Sequence, residues 1–195
     1  MRYLSFDLEA TGLDDHDYII EFAMVPFDAT EKTIATDLGR HFYISCPSFE
    51  ELRPKLNPWV VKNNFELINK AHQDGITISQ FKQELTTYLT SAKVKSYFNL
   101  DGGDQIILFG KSLNALDFPL LNRDLGRSWI REHFHHQTLD LSSVAIFLAD
   151  REDLPQKARK GSGLMEHFKM GEVAHNAMDD AVNTAKIYFE LLGDL

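Results

Sequence analysis

The fold of this chain is set by one stretch near its start, Tyr3-Leu4-Ser5-Phe6-Asp7-Leu8-Glu9-Ala10-Thr11-Gly12. Apolar and polar residues alternate as far as Glu9, and Thr11-Gly12 ends the run. Because side chains two positions apart on a strand share a face, the alternation predicts a β-strand. The apolar face would carry Leu4, Phe6 and Leu8, and the polar face would carry Ser5, Asp7 and Glu9.

Two acids on one face of this strand are the first indication of function. Asp7 and Glu9 would lie about 7 Å apart along the strand, so they repel each other and resist burial unless a cation lies between them. A divalent ion is the simplest such partner, and carboxylate oxygens suit Mg²⁺ or Mn²⁺. The alternative is an exposed edge strand with two solvated acids. Phe6 and the following Ile19-Ile20 favour a buried strand.

The rest of the pattern predicts an α/β domain. Strands come first, and then helices and strands alternate, which is typical of a mixed sheet flanked by helices. The predicted strands cover residues 18–27, 41–45 and 105–109. The predicted helices cover 57–72, a segment capped by Ser79, a segment through Asp117 and Leu125, and 176–192. Residues 138–148 would add a short strand and a helix, and residues 1–195 would form a single domain.

The composition is that of a globular chain without a membrane anchor. Hydrophobic residues make up 44% and charged residues 25% of the 195 positions. No apolar run approaches the length that a membrane span needs. Asp7 lies where a secretion signal would need an apolar core, and the single Cys46 excludes an internal disulfide. We therefore expect a cytoplasmic protein with no membrane association.

The net charge of -9 restricts the class of partner. Proteins that grip long duplexes through many phosphates usually present a basic face. For a nucleic-acid partner, three explanations remain open. The positive charges are concentrated at one place, the substrate is small, or bound cations neutralise the phosphates.

The last predicted helix carries an acid on its apolar face. Asp180 lies three residues after Ala177 and four before Thr184, inside an apolar stripe, whereas Asp179 is turned about 100° toward water. An inward aspartate is commonly a hydrogen-bonded structural group. A metal-binding role is favoured for Asp180 because both this acid and the strand acids require a cation.

Two further residues are candidates. His175 precedes Asp180 by five residues, and the dipole of the helix start favours its neutral form, which can act as a general base. The alternative is a surface histidine in a turn. Asp117 follows the strand that ends at Gly110, where sheet proteins gather their sites. It is equally well explained as an acid at a helix start.

Three motifs in a fixed order make the chain resemble the DEDDh 3′–5′ exonucleases, the superfamily of proofreading exonucleases, oligoribonuclease and ribonuclease T. The first motif is Asp7-Leu8-Glu9-Ala10-Thr11-Gly12, followed by Ile19-Ile20-Glu21-Phe22-Ala23. The second is Leu116-Asp117-Phe118-Pro119-Leu120-Leu121. The third is His175-Asn176-Ala177-Met178-Asp179-Asp180. Together the motifs span nearly the whole chain.

The resemblance implies an RNase H-like fold with a five-stranded mixed sheet and hydrolysis of the terminal phosphodiester with two Mg²⁺ or Mn²⁺ ions. Asp7, Glu9 and Asp180 would bind the ion that activates water. Asp7 would also hold the second ion, with Asp117 helping through water, and His175 would be the general base. The residues that would line the terminal nucleotide are Thr11, Gly12 and Leu13.

One stretch departs from the family pattern. Family members commonly carry His-Asn a few residues before the aspartate of the second motif. This chain reads Lys111-Ser112-Leu113-Asn114-Ala115-Leu116-Asp117 there. The departure bears on contacts to the sugar or the 3′ end more than on the metal-binding carboxylates.

Three functions remain open on the sequence. The first is an exonuclease that releases nucleoside 5′-monophosphates from short or single-stranded RNA or DNA. The second is a DNA proofreading or repair exonuclease. The third is a catalytically silent nucleic-acid-binding scaffold, against which the presence of all four acids and the histidine counts. The resemblance to oligoribonuclease and ribonuclease T also makes a homodimer plausible.

Basic and aromatic residues outside the motifs have two interpretations each. Positive side chains could contact substrate phosphates or lie in solvated loops; they are Arg123, Arg127, Arg131, Lys157, Arg159 and Lys160. Aromatic side chains could stack on bases, although aromatic residues at helical spacing more commonly belong to the core; they are Trp59, Phe65 and Trp129.

Overall fold

The computed structural model describes residues 1–170 and 176–193. In this part of the chain a six-stranded mixed sheet is flanked by helices, which confirms the predicted α/β class. The strands are β1 (Arg2–Ala10), β2 (Ile19–Asp28), β3 (Thr33–Ile34), β4 (Arg40–Tyr43), β5 (Leu108–Gly110) and β6 (Leu139–Asp140). Five of them form the main path of the sheet, as expected, and β4 pairs with β2 beside it.

The first strand lies at the centre of the sheet. The order along the main path is β3-β2-β1-β5-β6. β1 runs antiparallel to β2 and parallel to β5, with Ser5 opposite Val25 on one side and Phe109 on the other. Every residue of β2 is buried, as expected for a strand that is covered on both faces. The exposed edge strand considered for Asp7 and Glu9 is therefore excluded.

The helices described by the structure cover both faces of the sheet. They are α1 (Phe49–Leu52), α2 (Pro58–Asn63), α3 (Phe65–Asp74), α4 (Ile78–Thr90), α5 (Ala92–Phe98), α6 (Asp117–Leu125), α7 (Arg127–His133), α8 (Leu141–Asp150), α9 (Gly161–His167) and α10 (Ala177–Gly193). None of the helices in the described ranges is both long enough and apolar enough to cross a membrane.

Two apolar clusters lie on opposite faces of β1. Leu4, Phe6 and Leu8 pack in one cluster with α4, α6 and α7, as the alternation predicted. Tyr3 belongs to the other cluster, which includes α8, α9 and α10. Ser5 faces α10, because its Oγ donates a hydrogen bond to the carbonyl of Ala181 at 2.7 Å. The last helix is thus fixed against the strand face that carries the acids.

Some predicted boundaries were wrong. The single helix over residues 57–72 is two helices, α2 and α3, which meet at Asn64. Ser79 does not cap the next helix. Thr77 does, because its Oγ1 accepts the N–H of Gln80 at 3.2 Å while the Gln80 side chain accepts the N–H of Thr77 at 2.9 Å. This reciprocal capping box fixes the helix start two residues earlier than predicted.

Candidate active site

Three acids from the two ends of the chain converge beside β1. One carboxylate oxygen from each of Asp7, Glu9 and Asp180 lies within 4.8 Å of the other two. Asp7 and Glu9 are partly exposed at the end of the strand, and Asp180 is 6% exposed in the first turn of α10. Asp179 is exposed, as predicted from the helical spacing. The structure therefore brings together three of the four acids that the sequence singles out.

Asp117 is the fourth acid at this place. It is the first residue of α6 and is buried, with 7% of its surface exposed. In addition to the effect of burial, the charge of Asp117 raises the pKa of Asp7, and the charge of Glu9 raises the pKa of Asp117. Asp117 thus lies at a helix start and also within electrostatic reach of the strand acids, so the two interpretations of this residue are compatible.

The acids disfavour one another's ionisation. Burial, and then the charges of Asp117, Glu9 and Asp180, raise the pKa of Asp7 well above its ordinary value. Burial and the charges of Glu21 and Asp180 raise the pKa of Glu9 to about 7, and burial and Glu9 raise the pKa of Asp117 to about 7. A cation would relieve this repulsion. The donor set consists of hard carboxylate oxygens, so the residues fit Mg²⁺ or Mn²⁺.

A fifth acid, Glu21, lies on the neighbouring strand next to this cluster. It is buried in β2 directly opposite Glu9. Its Oε2 accepts a hydrogen bond from the N–H of Ala177, the first residue of α10, and its Oε1 lies 2.5 Å from His41 Nε2. The sequence analysis quoted Glu21 in a family segment without giving it a role. An acid inside an otherwise apolar strand was the indication that could have identified it.

His175 lies outside the residues that the structure describes. Its role as the general base stays a prediction.

A cleft of about 280 Å³ opens beside the acids. Glu9 and Asp117 are among the residues that line it. Gly12 and Leu13, both expected to contact the terminal nucleotide, lie on its wall. Thr11 does not line the cleft, because its buried side chain donates to Asp17 Oδ1 at 2.9 Å and holds the loop that follows β1.

The cleft also holds exposed apolar side chains that a nucleobase could contact. Leu13 is 69%, Trp59 54% and Leu116 39% exposed, and all three line the cleft. Of the aromatic residues considered for stacking, Trp129 belongs to the core and Phe65 packs edge-on against Phe49. The structure thus places Trp59 beside the acids and the other two elsewhere.

Several of the basic residues considered for phosphate contacts are paired with acids. Lys157 Nζ lies 2.6 Å from Glu166 Oε1, and Arg159 pairs with Asp150. Arg123 binds the carboxylate of Asp124 through two nitrogens. These pairs support the interpretation of solvated surface groups for those side chains.

The structure thus combines a mixed sheet, a central strand that carries carboxylates, and a cleft beside them. A family model for the RNase T group, described as "Exonuclease", matches residues 4–188. The chain belongs to this exonuclease family. The resemblance drawn from the three motifs is therefore confirmed.

Solved structures with the same fold include several nucleases. The structure is similar to the cell-death related nuclease 4 (CRN-4), with 19% identity, a TM-score of 0.71, and coverage of 98% of this chain and 64% of that one. It is similar to the nuclease domain of 3′hExo, described as a DEDDh family member bound to rAMP, with 14% identity, a TM-score of 0.65, and coverage of 99% and 92%.

A third similar structure is that of Pop2p from S. pombe in its Mg²⁺- and Mn²⁺-bound form, with 16% identity, a TM-score of 0.62, and coverage of 97% of this chain and 82% of that one. These similarities confirm the RNase H-like fold expected from the motifs. The chain spans 64% of the length of CRN-4. No curated protein sequence matches the chain.

Proposed function

We propose that residues 1–195 form a single two-metal-ion 3′–5′ exonuclease domain that releases nucleoside 5′-monophosphates from short or single-stranded RNA or DNA. The observation that carries the proposal is the convergence of Asp7, Glu9 and Asp180 within 4.8 Å, next to Asp117. The similar structures agree with it, because one is a DEDDh family member bound to rAMP and another contains Mg²⁺ and Mn²⁺.

Each acid has a proposed task. Asp7, Glu9 and Asp180 would hold one divalent ion, and Asp7 would hold the second with Asp117 acting through water. Such ions, when bound, supply positive charge to the phosphate and lower the pKa of the attacking water. His175 would accept the proton of that water as it attacks phosphorus. The bond between phosphorus and the O3′ of the preceding nucleotide would then break, and O3′ would take up a proton from solvent. The products would be a nucleoside 5′-monophosphate and a shortened chain with a 3′-hydroxyl.

The cleft would hold the terminal nucleotide with its base between apolar side chains. Leu13, Trp59 and Leu116 line the cleft beside Glu9 and Asp117, so a base in this position would place its phosphodiester near the acids. A base that enters a cleft must leave its stack, which costs least at a single-stranded end. The net charge of -9 also favours a short substrate over a long duplex.

The proposal includes a cytoplasmic location and a possible homodimer. The single Cys46, which leaves no internal disulfide, agrees with the first, and the resemblance to oligoribonuclease and ribonuclease T supports the second. Light scattering coupled to size-exclusion chromatography would give the mass of the particle in solution.

The test is a comparison of 5′-labelled RNA and DNA of two, five and twenty nucleotides, with Mg²⁺, with Mn²⁺ and with a chelator. We expect a ladder that shortens from the 3′ end and release of 5′-monophosphates only with a metal. Activity restricted to DNA with a mismatched 3′ end would instead indicate a proofreading or repair exonuclease. No degradation of any substrate would indicate a silent binding scaffold and refute the proposal.

Four variants test the roles of the acids and of His175, with Asp179→Asn as the matched control for Asp180→Asn. Asp180→Asn and Asp7→Ala should abolish hydrolysis and retain the fold, as judged by circular dichroism. Asp179→Asn neutralises the exposed neighbour of Asp180 and should keep wild-type activity. His175→Ala should lower kcat more than it raises KM, and a change in KM alone would remove its role as the base.

A further inference from the structure

Lys111 brings a positive charge to the acidic cluster. It directly follows Gly110, the last residue of β5, which runs parallel to β1 with Phe109 opposite Ser5. The chain therefore leaves β5 at about the level of Asp7. The positive charge of Lys111 lowers the pKa of each of Asp7, Glu9 and Asp117, so it lies within electrostatic reach of all three.

The backbone that follows Lys111 is held in place. Ser112 has a φ of 57°, in the left-handed region that non-glycine residues seldom adopt. Its N–H donates to Asp140 Oδ1 at 3.0 Å, and its Oγ lies 2.8 Å from the Oγ of Ser142. These contacts attach the turn after β5 to the start of α8, and they fix the point from which the lysine side chain extends.

The stem of Lys111 lies against a glycine. A Cβ atom at Gly161, the first residue of α9, would come within 2.8 Å of Lys111 Cδ, 3.2 Å of Cε and 3.6 Å of Nζ. A side chain at position 161 would therefore displace the lysine. Because Gly161 has no side chain, the lysine side chain can pass across the beginning of α9.

Among the residues that the structure describes, Lys111 forms no ion pair or hydrogen bond through its side chain, in contrast to Lys157 with Glu166. An ammonium group near carboxylates but not in contact with them keeps its three donors for another anion. The substrate brings such an anion to this place, because the proposed chemistry requires a phosphodiester beside Asp7, Glu9 and Asp180.

We propose that Lys111 is a catalytic residue whose ammonium group binds a non-bridging oxygen of the substrate phosphate beside the carboxylates. The inference rests on the proposed function. It also gives a purpose to the stretch in which this chain departs from the family pattern, where Lys111-Ser112 stands before the second motif. The competing explanation is that Lys111 only offsets the charge of the acids and touches no substrate.

The experiment compares Lys111→Met and Lys111→Arg with wild type in three measurements. These are the KM for a five-nucleotide single strand, the dependence of oligonucleotide affinity on salt, and the Mg²⁺ concentration that gives half-maximal rate. Loss of one charged hydrogen bond to phosphate should raise KM about tenfold in Lys111→Met. It should also lower the slope of log affinity against log salt by about 0.7 for a single strand. Lys111→Arg keeps the positive charge, so its KM and its salt slope should both lie close to those of wild type.

A second variant and a control separate the explanations. Gly161→Ala keeps the charge but displaces the ammonium group, so it should raise KM in the same direction even if Lys111→Met folds poorly. Lys93→Met is the control, because Lys93 is exposed on α5, which contacts Arg2 at the far end of β1. Wild-type KM and salt slope in Lys111→Met and Gly161→Ala, with a changed Mg²⁺ requirement alone, would overturn the proposal in favour of charge compensation.

The two proposals fail in different ways. Affinity is measured by fluorescence anisotropy with Ca²⁺ in place of Mg²⁺, separately from hydrolysis. A wild-type chain that binds the strand but never shortens it would refute the exonuclease proposal. The affinity loss of Lys111→Met and Gly161→Ala would in that case still decide whether Lys111 is a phosphate ligand.

Discussion

Glu21 joins the second strand to the last helix, because its Oε2 accepts a hydrogen bond from the backbone N–H of Ala177 at 3.3 Å. Ala177 begins α10, and Asp180 follows one turn later. Glu21 therefore helps to set where the carboxylate of Asp180 stands relative to Asp7 and Glu9. The same side chain contacts His41 of β4 through its other oxygen, so one buried carboxylate connects two strands and a helix.

We predict that Glu21→Ala lowers the free energy of unfolding by about 1–3 kcal/mol, the usual cost of leaving a buried hydrogen-bonding group without its partner. The variant should also need more Mg²⁺ for half-maximal activity, because α10 then holds Asp180 less firmly. Glu21→Gln keeps an oxygen acceptor for the N–H of Ala177, so it should lower the free energy of unfolding less and raise the Mg²⁺ requirement less. Glu66→Ala, an exposed acid on α3, is the control. An unchanged Mg²⁺ requirement in Glu21→Ala would show that Glu21 does not position Asp180.

The raised pKa values of the site acids predict a pH-dependent stability in the absence of metal. The folded chain holds a proton on Glu9 up to a pKa of about 7, whereas the unfolded chain releases it near 4.5. Because the folded state binds the proton more tightly, this contribution to stability is complete below pH 4.5 and is lost as the pH rises toward 7. Asp117, whose pKa is also raised to about 7, acts in the same direction.

Thermal denaturation in a chelator, measured from pH 4.5 to 8, tests this expectation. Other groups titrate in the same range, so the informative quantity is the difference from Glu9→Gln, which removes the titrating carboxyl. The variant should become more stable relative to wild type as the pH rises. Mg²⁺ should raise the Tm of wild type more at pH 7.5 than at pH 5, since only ionised carboxylates bind it well. Parallel pH profiles of the two proteins would contradict the prediction.

The local pattern predicted which face of each element carries the acids. The period of two in β1 and the helical period in α10 place Asp7, Glu9 and Asp180 on facing surfaces, and these periods depend only on backbone geometry. The contribution of Glu21 could not be derived in this way. It depends on which backbone N–H of α10 packs against Glu21, a relation between residues 156 positions apart.

The helix start at Thr77 shows a second limit of the sequence. Both Thr77 and Ser79 can cap a helix, and the choice is made by whether Gln80 reciprocates. Trp59 shows a third limit, because its spacing alone did not separate a core residue from a residue of the cleft. In the structure it is exposed and lines the cleft, and the helix that carries it ends at Asn63, a break that the apolar pattern of residues 57–72 did not reveal.

Trp59 should contribute to substrate binding and not to the chemical step. Trp59→Ala removes an aromatic surface from the cleft, and stacking of one base on an aromatic side chain is worth about 1–3 kcal/mol. We expect KM for a single strand to rise by about tenfold or more with a smaller change in kcat. Phe147→Ala is a matched control, because Phe147 is similarly exposed at 58% but lies on α8, outside the lining of the cleft. Equal effects of the two substitutions would remove Trp59 from the proposed base site.

Gly12 should be required for the shape of the loop that carries Leu13. A Cβ atom at this position would come within 2.3 Å of Asp17 Oδ2 and 2.6 Å of Asp17 Cγ. The carboxylate of Asp17 accepts hydrogen bonds from Thr11 Oγ1 and from the N–H of Asp14, each at 2.9 Å. Gly12→Ala therefore forces Asp17 away from two donors and lets the wall of the cleft move.

We expect Gly12→Ala to raise KM while kcat falls less, because Asp7 and Glu9 belong to the strand before the loop. A double-mutant cycle with Asp17→Ala identifies the cause. Asp17→Ala removes the carboxylate that the new methyl group would strike, so Gly12→Ala should add little to the KM of a chain that already carries Asp17→Ala. If the two effects on KM add in full, the methyl group acts directly on the bound nucleotide, and the contact with Asp17 is not the reason that position 12 is a glycine.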